Sequence, residues 1–130
     1  MSSARQRPID ASDAPQATGG YAQAVEVEGA QRLLFVSGQI PVRADGAVPT
    51  DFKTQARTAW GNVEAQLRAA GMTLDNLVKV AIFLFDRQYA LENREIRQEV
   101  LGDRRIALTV IITGIFDAAW LLEIEAIAAV

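Results

Sequence analysis

The pattern of apolar and polar positions along the chain predicts several β-strands. Segments in which apolar and polar residues alternate, or which are short and apolar throughout, are typical of strands. Five segments have this character, namely Tyr21–Gly29, Leu33–Ile40, Leu77–Phe85, Ile106–Thr113 and Trp120–Val130. Only a few residues separate the first two, so we expect them to pair as a hairpin. The turn signal Asp45-Gly46 predicts a short third strand or hairpin after them.

Two further segments have the periodicity of amphipathic helices. In the first, which runs from Thr50 to Gly71, apolar residues recur every three or four positions and form one stripe. Either Thr50 or Asp51 can cap its N-terminus, and Gly71 stands where a left-handed residue commonly ends a helix. The second helix is predicted over residues 87–102. Its apolar stripe is thinner and consists of Leu91, Ile96 and Val100.

The order of these elements predicts an α+β domain, in which two helices cover one face of a single sheet. Residues 20–130 are expected to form this domain, and the polar residues 1–19 are expected to be a mostly flexible arm. The strand Leu77–Phe85 is apolar on both faces, and the helices can cover only one of them. We therefore expect an oligomer in which the uncovered sheet faces pack together.

Composition excludes several kinds of active site. The 130 residues include neither cysteine nor histidine, which rules out disulfides, zinc sites built on these residues, Ser-His-Asp triads and cysteine nucleophiles. An acid or base must come from Asp, Glu, Lys, Tyr, a hydroxyl group or water. The net charge of −3 disfavours a nucleic-acid partner. The chain has no apolar signal segment and no stretch long enough to span a membrane, so we expect a soluble cytoplasmic protein.

Five motifs resemble the RidA/YjgF family of reactive-intermediate deaminases. They are "GGYAQAV", "FVSGQIPV", "QARTAWGNVEAQLRAAG", "LVKVAIFLFD" and "EIEAIA", and they occur in the family's order between Ala14 and Val130. The resemblance implies a chorismate-mutase-like fold and a homotrimer with ligand sites in the clefts between subunits. It also implies hydrolysis of enamines or imines by water, without a metal or cofactor.

The resemblance assigns candidate site residues position by position. The family's site tyrosine, serine, asparagine and glutamate correspond to Tyr21, Ser37, Asn93 and Glu123. The glutamate is the candidate catalytic residue, because a carboxylate in a cleft can hold a water molecule. The family's carboxylate-binding arginine falls on Ala107, within "RRIALTVI". The arginine with which the family binds a substrate carboxylate is therefore missing from this position.

Two neighbours of Ala107 are candidates for the same ligand site. Side chains two apart on a strand share a face, at a spacing of roughly 6.6 Å, so Arg105 and Thr109 are expected on the face of Ala107. Arg105 could swing over this distance to replace the missing group, although a solvated charge is the more common role there. Arg104 should point the other way.

Each candidate also has a purely structural interpretation. Tyr21 could be a hairpin aromatic, Ser37 part of a plain turn, and Asn93 a helix-surface residue. Thr109 suits a strand without any ligand. Glu125, two residues after the candidate glutamate, is expected on a solvated or interface-lining face, with Lys79 as a candidate partner.

Three functions follow from these interpretations. We favour a Rid-like homotrimer that binds a small molecule, with a carboxylate as a candidate ligand group, and that hydrolyses enamines or imines weakly or in altered form. The alternative is an active deaminase that uses Arg105 as the substitute. RNA cleavage or translation inhibition ranks last, because the chain is acidic and lacks histidine.

Overall fold

The elements below come from a computed structural model that describes residues 4–130. Over these residues the chain forms six strands and two α-helices. In chain order they are β1 (Arg5–Ile9), β2 (Ala24–Glu28), β3 (Leu33–Gln39), α1 (Phe52–Ala69), β4 (Leu77–Leu84), α2 (Ala90–Leu101), β5 (Ala107–Ile112) and β6 (Leu122–Ala129). Neither helix is long and apolar enough to cross a membrane.

The main sheet has four strands in the order β3-β6-β4-β5. Strands β4 and β5 are parallel, and the other two pairings are antiparallel. The predicted α+β class, with two helices and a mixed sheet, is confirmed. The prediction of a single sheet is wrong, because β1 and β2 pair only with each other and form a second, two-stranded sheet.

The predicted hairpin between the segments Tyr21–Gly29 and Leu33–Ile40, which contain β2 and β3, is wrong. Strand β2 pairs with β1, whereas β3 pairs with β6. Just before β3, the backbone N–H groups of Gln31 and Arg32 both donate to the Val130 carbonyl oxygen, and the Val130 N–H donates back to Arg32. These bonds extend the β3–β6 ladder into the loop before β3, so β3 pairs with the C-terminal strand β6 and not with β2.

Strand β1 lies where we expected a mostly flexible arm. Its residues pair with those of β2 in a two-stranded antiparallel sheet. Arg5 pairs with Glu28 at 2.9 Å, and Arg7 pairs with Glu26 at 3.3 Å. Opposite charges on facing positions favour this register. Residues 1–3 of the predicted arm lie outside the described residues.

Helix α1 begins and ends as its sequence predicts. Asp51 is the N-cap, and its Oδ2 accepts a hydrogen bond from the Thr54 backbone N–H at 3.0 Å. Gly71 follows the helix with φ +72°, the left-handed conformation that glycine adopts without steric cost. Before α1, the Asp45-Gly46 turn forms, but residues 40–50 contain no third strand.

Helix α2 presents a different face to the core from the one predicted. A 3₁₀ turn over Arg87–Tyr89 precedes it. Leu91 is 67% exposed, so its assignment to the apolar stripe is wrong. Asn93, Ile96 and Arg97 are buried instead. These three positions follow helical spacing on one face, and Leu91 lies about 200° around the helix from Asn93.

The sheet has one face under the helices and one open face. On β4, Val80, Ile82 and Leu84 are fully buried, while the alternate residues are not. Paired residues share a face, so the register extends both faces across the sheet. The open face consists of Leu33, Phe35, Ser37, Lys79, Ala81, Phe83, Ala107, Thr109, Ile111, Glu123, Glu125 and Ile127.

Candidate functional site

The Glu123 carboxylate lies directly over Gly38 on the open face. A Cβ placed on Gly38 would stand 2.7 Å from Glu123 Cδ and 3.0 Å from Cγ, and closer still to Oε2. Only a glycine therefore leaves room for this side chain. Ser37 precedes that glycine and is exposed on the same face. The predicted serine and glutamate are thus neighbours at the β3–β6 end of the sheet.

The start of β5 places a second set of predicted residues. Ala107 pairs with Lys79, and Thr109 pairs with Ala81, so both side chains belong to the open face. The Ala22 N–H donates to the Ile106 carbonyl oxygen at 2.9 Å. This bond, together with a bridge between Ala22 and Ala107, brings the half-buried Tyr21 beside the start of β5.

Arg105 is held by the N-terminal segment. Its guanidinium forms an ion pair with the Asp10 carboxylate. Asp10 also accepts a hydrogen bond from the Gln23 backbone N–H at 2.9 Å. These two bonds, the one from Gln23 first, lower the pKa of Asp10. To serve as the substitute for the missing arginine, Arg105 would have to leave this carboxylate.

Asn93 is buried, not surface-exposed, and has an unexpected neighbour. It is 3% exposed, and within the described chain its Oδ1 has no hydrogen-bond partner. One helical turn later, the buried Arg97 donates from Nη2 to the Gly19 carbonyl oxygen at 2.6 Å. Tyr21 lies close enough to affect the pKa of Arg97. Sequence reasoning missed this arginine, and its four-residue spacing from Asn93 was the signal that could have revealed it.

The two groups of predicted residues do not meet within one chain. Ala107 pairs with Lys79, which pairs with Ile127, and Glu123 lies four positions along β6 from Ile127. Two strand spacings and four residue rises separate Ala107 from Glu123 by about 16 Å. A small ligand therefore cannot contact both groups within one chain.

The open face also contains a charged hollow. It has a volume of about 350 Å³ and is lined by Phe35, Ser37, Lys79, Ala81, Glu125 and Ile127, among others. Lys79 and Glu125 both face it, but the ion pairs found over residues 4–130 do not join them. The candidate pairing of these two charges is therefore not made within a single chain.

Comparison with known proteins identifies the family. A family model described as "Endoribonuclease L-PSP" matches residues 11–130. A RutC family protein of Pyrococcus horikoshii, PH0854, is 34% identical over 118 residues, which cover 89% of this chain and 91% of that protein. The chain belongs to the RidA/YjgF family.

Solved structures of Rid proteins have the same fold. A Rid family protein from Yersinia pestis, YyfB, aligns with a TM-score of 0.83 at 23% identity and covers 96% of this chain and 98% of its own. Escherichia coli TdcF with bound serine aligns with a TM-score of 0.73 at 30% identity, over 95% of this chain and 98% of its own. Both residue groups described above lie inside the region that matches the RidA/YjgF family model.

Proposed function

We propose that this chain is a homotrimeric Rid-family protein of chorismate-mutase-like fold. It binds a small metabolite, with a carboxylate as the preferred ligand group, in clefts between subunits, and its hydrolysis of enamines and imines is weak or altered. The observation that carries the proposal is Ala107, whose methyl group occupies the open face where the family resemblance expects a carboxylate-binding arginine. The proposal needs no metal, cofactor, nucleic acid or membrane, and we place the protein in the cytoplasm.

Two features of the sheet support assembly. The open face exposes large apolar side chains, including Leu33, Phe35 and Ile111, and such patches favour association. The separation between Ala107 and Glu123 also favours assembly. A neighbouring copy can place the end of its sheet that carries Ala107 beside the end of its partner's sheet that carries Glu123.

The chemistry would be hydrolytic. An enamine first takes up a proton at its β-carbon and becomes the imine. A water molecule held by Glu123 then attacks the imine carbon, its two protons pass to the nitrogen, the C–N bond breaks, and ammonia and a carbonyl compound leave. Tyr21, Ser37, Asn93 and Thr109 would contact the ligand around this point. The serine bound to TdcF supports a ligand about as large as a small amino acid.

The alanine at position 107 is the reason why we expect this reaction to be slower than in a relative that has the arginine. Removing one partner of a desolvated charge pair costs on the order of 2–5 kcal/mol, which is roughly 30-fold to several-thousand-fold in affinity. The alternative, an active deaminase that uses Arg105, requires this arginine to leave Asp10. RNA cleavage, suggested by the description of the family model, is disfavoured by the net charge of −3 and the lack of histidine.

Ammonia release from freshly generated 2-aminoacrylate tests the proposal. Wild type should be far slower than an arginine-bearing relative, and Ala107→Arg should raise the rate if the remaining site is preorganised. If Arg105 is the substitute, Arg105→Ala should lower binding of small carboxylates, and Ala107→Arg should add little. Wild-type turnover that equals the relative's and is unaffected by Arg105→Ala would refute both accounts.

Light scattering tests the assembly. We expect a mass near three times the 14.1 kDa of one chain. A stable monomer at micromolar concentration would remove the proposed intersubunit cleft.

A further inference from the structure

The segment that leads into Tyr21 is held by few contacts. Among the hydrogen bonds found over residues 4–130, the one that reaches the backbone of residues 17–21 comes from Arg97, whose Nη2 donates to the Gly19 carbonyl oxygen at 2.6 Å. A hollow of about 460 Å³ lies between this segment and the C-terminal end of α2. The segment is therefore not fixed by close packing on that side, and the hydrogen bond from Arg97 is its main tether to the helix.

Two consecutive glycines give this segment unusual backbone freedom. Gly19 has φ +98° and Gly20 has φ +83°, which is the region that favours glycine. Glycine loses more conformational entropy on folding than any other residue, so this pair is costly to order. A hydrogen bond to the carbonyl oxygen of Gly19 opposes this cost directly before Tyr21.

On its other side, Tyr21 is followed by well-anchored backbone. The Ala22 N–H donates to the Ile106 carbonyl oxygen at 2.9 Å, and Ala22 also forms a bridge with the first residue of β5. The next N–H, that of Gln23, donates to a carboxylate of the N-terminal segment at 2.9 Å. Tyr21 therefore lies between a firmly anchored side at the start of β5 and a side that one side-chain hydrogen bond holds.

Arg97 is an unusual residue for a buried position. It is 7% exposed, and the ion pairs found over residues 4–130 give it no acidic partner. Burial lowers the pKa of its guanidinium, and the positive charge of Arg94 lowers it further. Because a guanidinium stays protonated in proteins, its charge is desolvated here without a counter-ion. An apolar residue would fill the same position at a lower cost, so packing does not account for the arginine.

We propose that Arg97 is a positioning residue, which fixes the Gly19–Tyr21 segment and thereby holds the Tyr21 side chain where it contacts the ligand. Arg97 does not itself touch the ligand, because α2 covers the sheet face opposite to that of Ala107 and Glu123. The segment joins the two sides, since it leaves α2 at Gly19 and reaches the start of β5 one residue after Tyr21. This inference rests on the proposed function, which assigns Tyr21 to the ligand site.

Fluorine NMR tests whether Arg97 holds Tyr21. The chain has two tyrosines, so labelling with 3-fluorotyrosine gives one signal for each. Tyr89 stacks on Phe52 with ring centroids 4.7 Å apart and serves as the internal reference. Arg97→Met keeps the bulk of the side chain but removes the donor, so the Tyr21 signal should narrow and move toward that of free 3-fluorotyrosine. Arg97→Lys keeps a donor and should restore part of the wild-type signal.

The affinity for L-serine, the amino acid bound in the TdcF structure, tests whether Arg97 acts through Tyr21. Calorimetry should show about tenfold weaker binding in Arg97→Met, and a smaller loss in Arg97→Lys. In a Tyr21→Ala background, Arg97→Met should cause no further loss, because the contact that Arg97 positions is already gone. Arg68→Met removes an exposed arginine on α1 and is the matched control, which should change neither the affinity nor the Tyr21 signal.

Urea unfolding distinguishes this role from a purely structural one. Arg97→Met should be at least as stable as wild type, because it removes an uncompensated buried charge. A residue kept only for the fold would show the opposite pattern, a loss of stability with the affinity of wild type. If Arg97→Met does not fold, Arg97→Lys is used for both the fluorine and the binding measurements.

Three outcomes would overturn the inference. These are a Tyr21 fluorine signal that is unchanged in both Arg97 variants, wild-type affinity for L-serine in both, or an equal loss of affinity with and without Tyr21. When wild type binds L-serine, each of these outcomes refutes only this inference. Where L-serine binds too weakly to measure, the same set of variants is compared by ammonia release. If wild type neither binds L-serine nor releases ammonia, and Ala107→Arg does not release it either, the proposed function fails as well.

Discussion

Replacing Gly38 by alanine should uncouple stability from activity. The new Cβ would stand 2.7 Å from Glu123 Cδ and 3.0 Å from Cγ, so the glutamate must change rotamer and its carboxylate must leave its present position. Overpacking of this kind costs about 1–3 kcal/mol in a well-packed core, and we expect the low end because the side chain is only partly buried. If Glu123 positions the water and transfers its proton, the rate should fall roughly 10²- to 10⁴-fold.

Two measurements check this prediction. Ammonia release from 2-aminoacrylate should be compared in wild type and Gly38→Ala, and again in an Ala107→Arg background, where we expect a larger signal. Urea unfolding should show a modest loss of stability.

Gly61→Ala is the matched control. Gly61 lies in α1, and a Cβ added there meets nothing within 4 Å. This change should stabilise the helix by about 1 kcal/mol without affecting turnover. Full activity in a folded Gly38→Ala variant would refute the role that we assign to Glu123.

Two further predictions concern the helix that supports the sheet. Gln55 is buried, donates to the carbonyl oxygens of Pro49 and Ala119 at 2.8 and 2.9 Å, and accepts from the Leu121 N–H at 2.8 Å. Gln55→Leu should therefore destabilise the chain in urea by on the order of 3–5 kcal/mol, whereas the exposed Gln66→Leu should not. Hydrogen bonds from Thr54 lower the pKa of Asp51 below 3.8, so the ionised cap stabilises the fold above that pH and its contribution is lost as the pH falls through the lower, folded pKa. Asp51→Asn keeps a cap that does not titrate, and its melting temperature should fall less than that of wild type between about pH 5 and pH 3.

Local patterns were sufficient to predict the helices and most strands. Helix α1 was predictable because its apolar stripe, its capping aspartate and Gly71 all indicate the same boundaries. Strand β4 was predictable because an apolar run of its length is typical of a central strand. Strand pairing was not predictable in this way. The alternation in β2 shows which residues share a face but not which strand lies beside it, so the partner β1 was missed.

The candidate site shows the same limit. Strand periodicity was sufficient to place Ala107 and Thr109 on one face of β5, but not to show that this face is also that of Ser37 and Glu123. The close contact of the Glu123 side chain with Gly38 depends on how β3 lies against β6, which no local pattern encodes. Helix α2 was misjudged because two of its buried residues, Asn93 and Arg97, are polar, and a hydropathy stripe counts only apolar positions.

The proposed hydrolytic cleft depends on assembly. Ala107 and Glu123 lie about 16 Å apart within one chain, so a cleft that combines them needs two copies. Phe35 is 70% exposed on the open face. A charge at that position would have to be desolvated on assembly, which is costly without a partner.

Phe35→Glu should therefore abolish assembly and hydrolysis together. Light scattering should give a mass near 14.1 kDa and ammonia release should be lost. Phe116→Glu places the same charge on a residue that is 95% exposed outside the sheet, and both properties should survive this change. Ammonia release at the wild-type rate from a monomeric, folded Phe35→Glu variant would refute the reasoning that the cleft needs two copies.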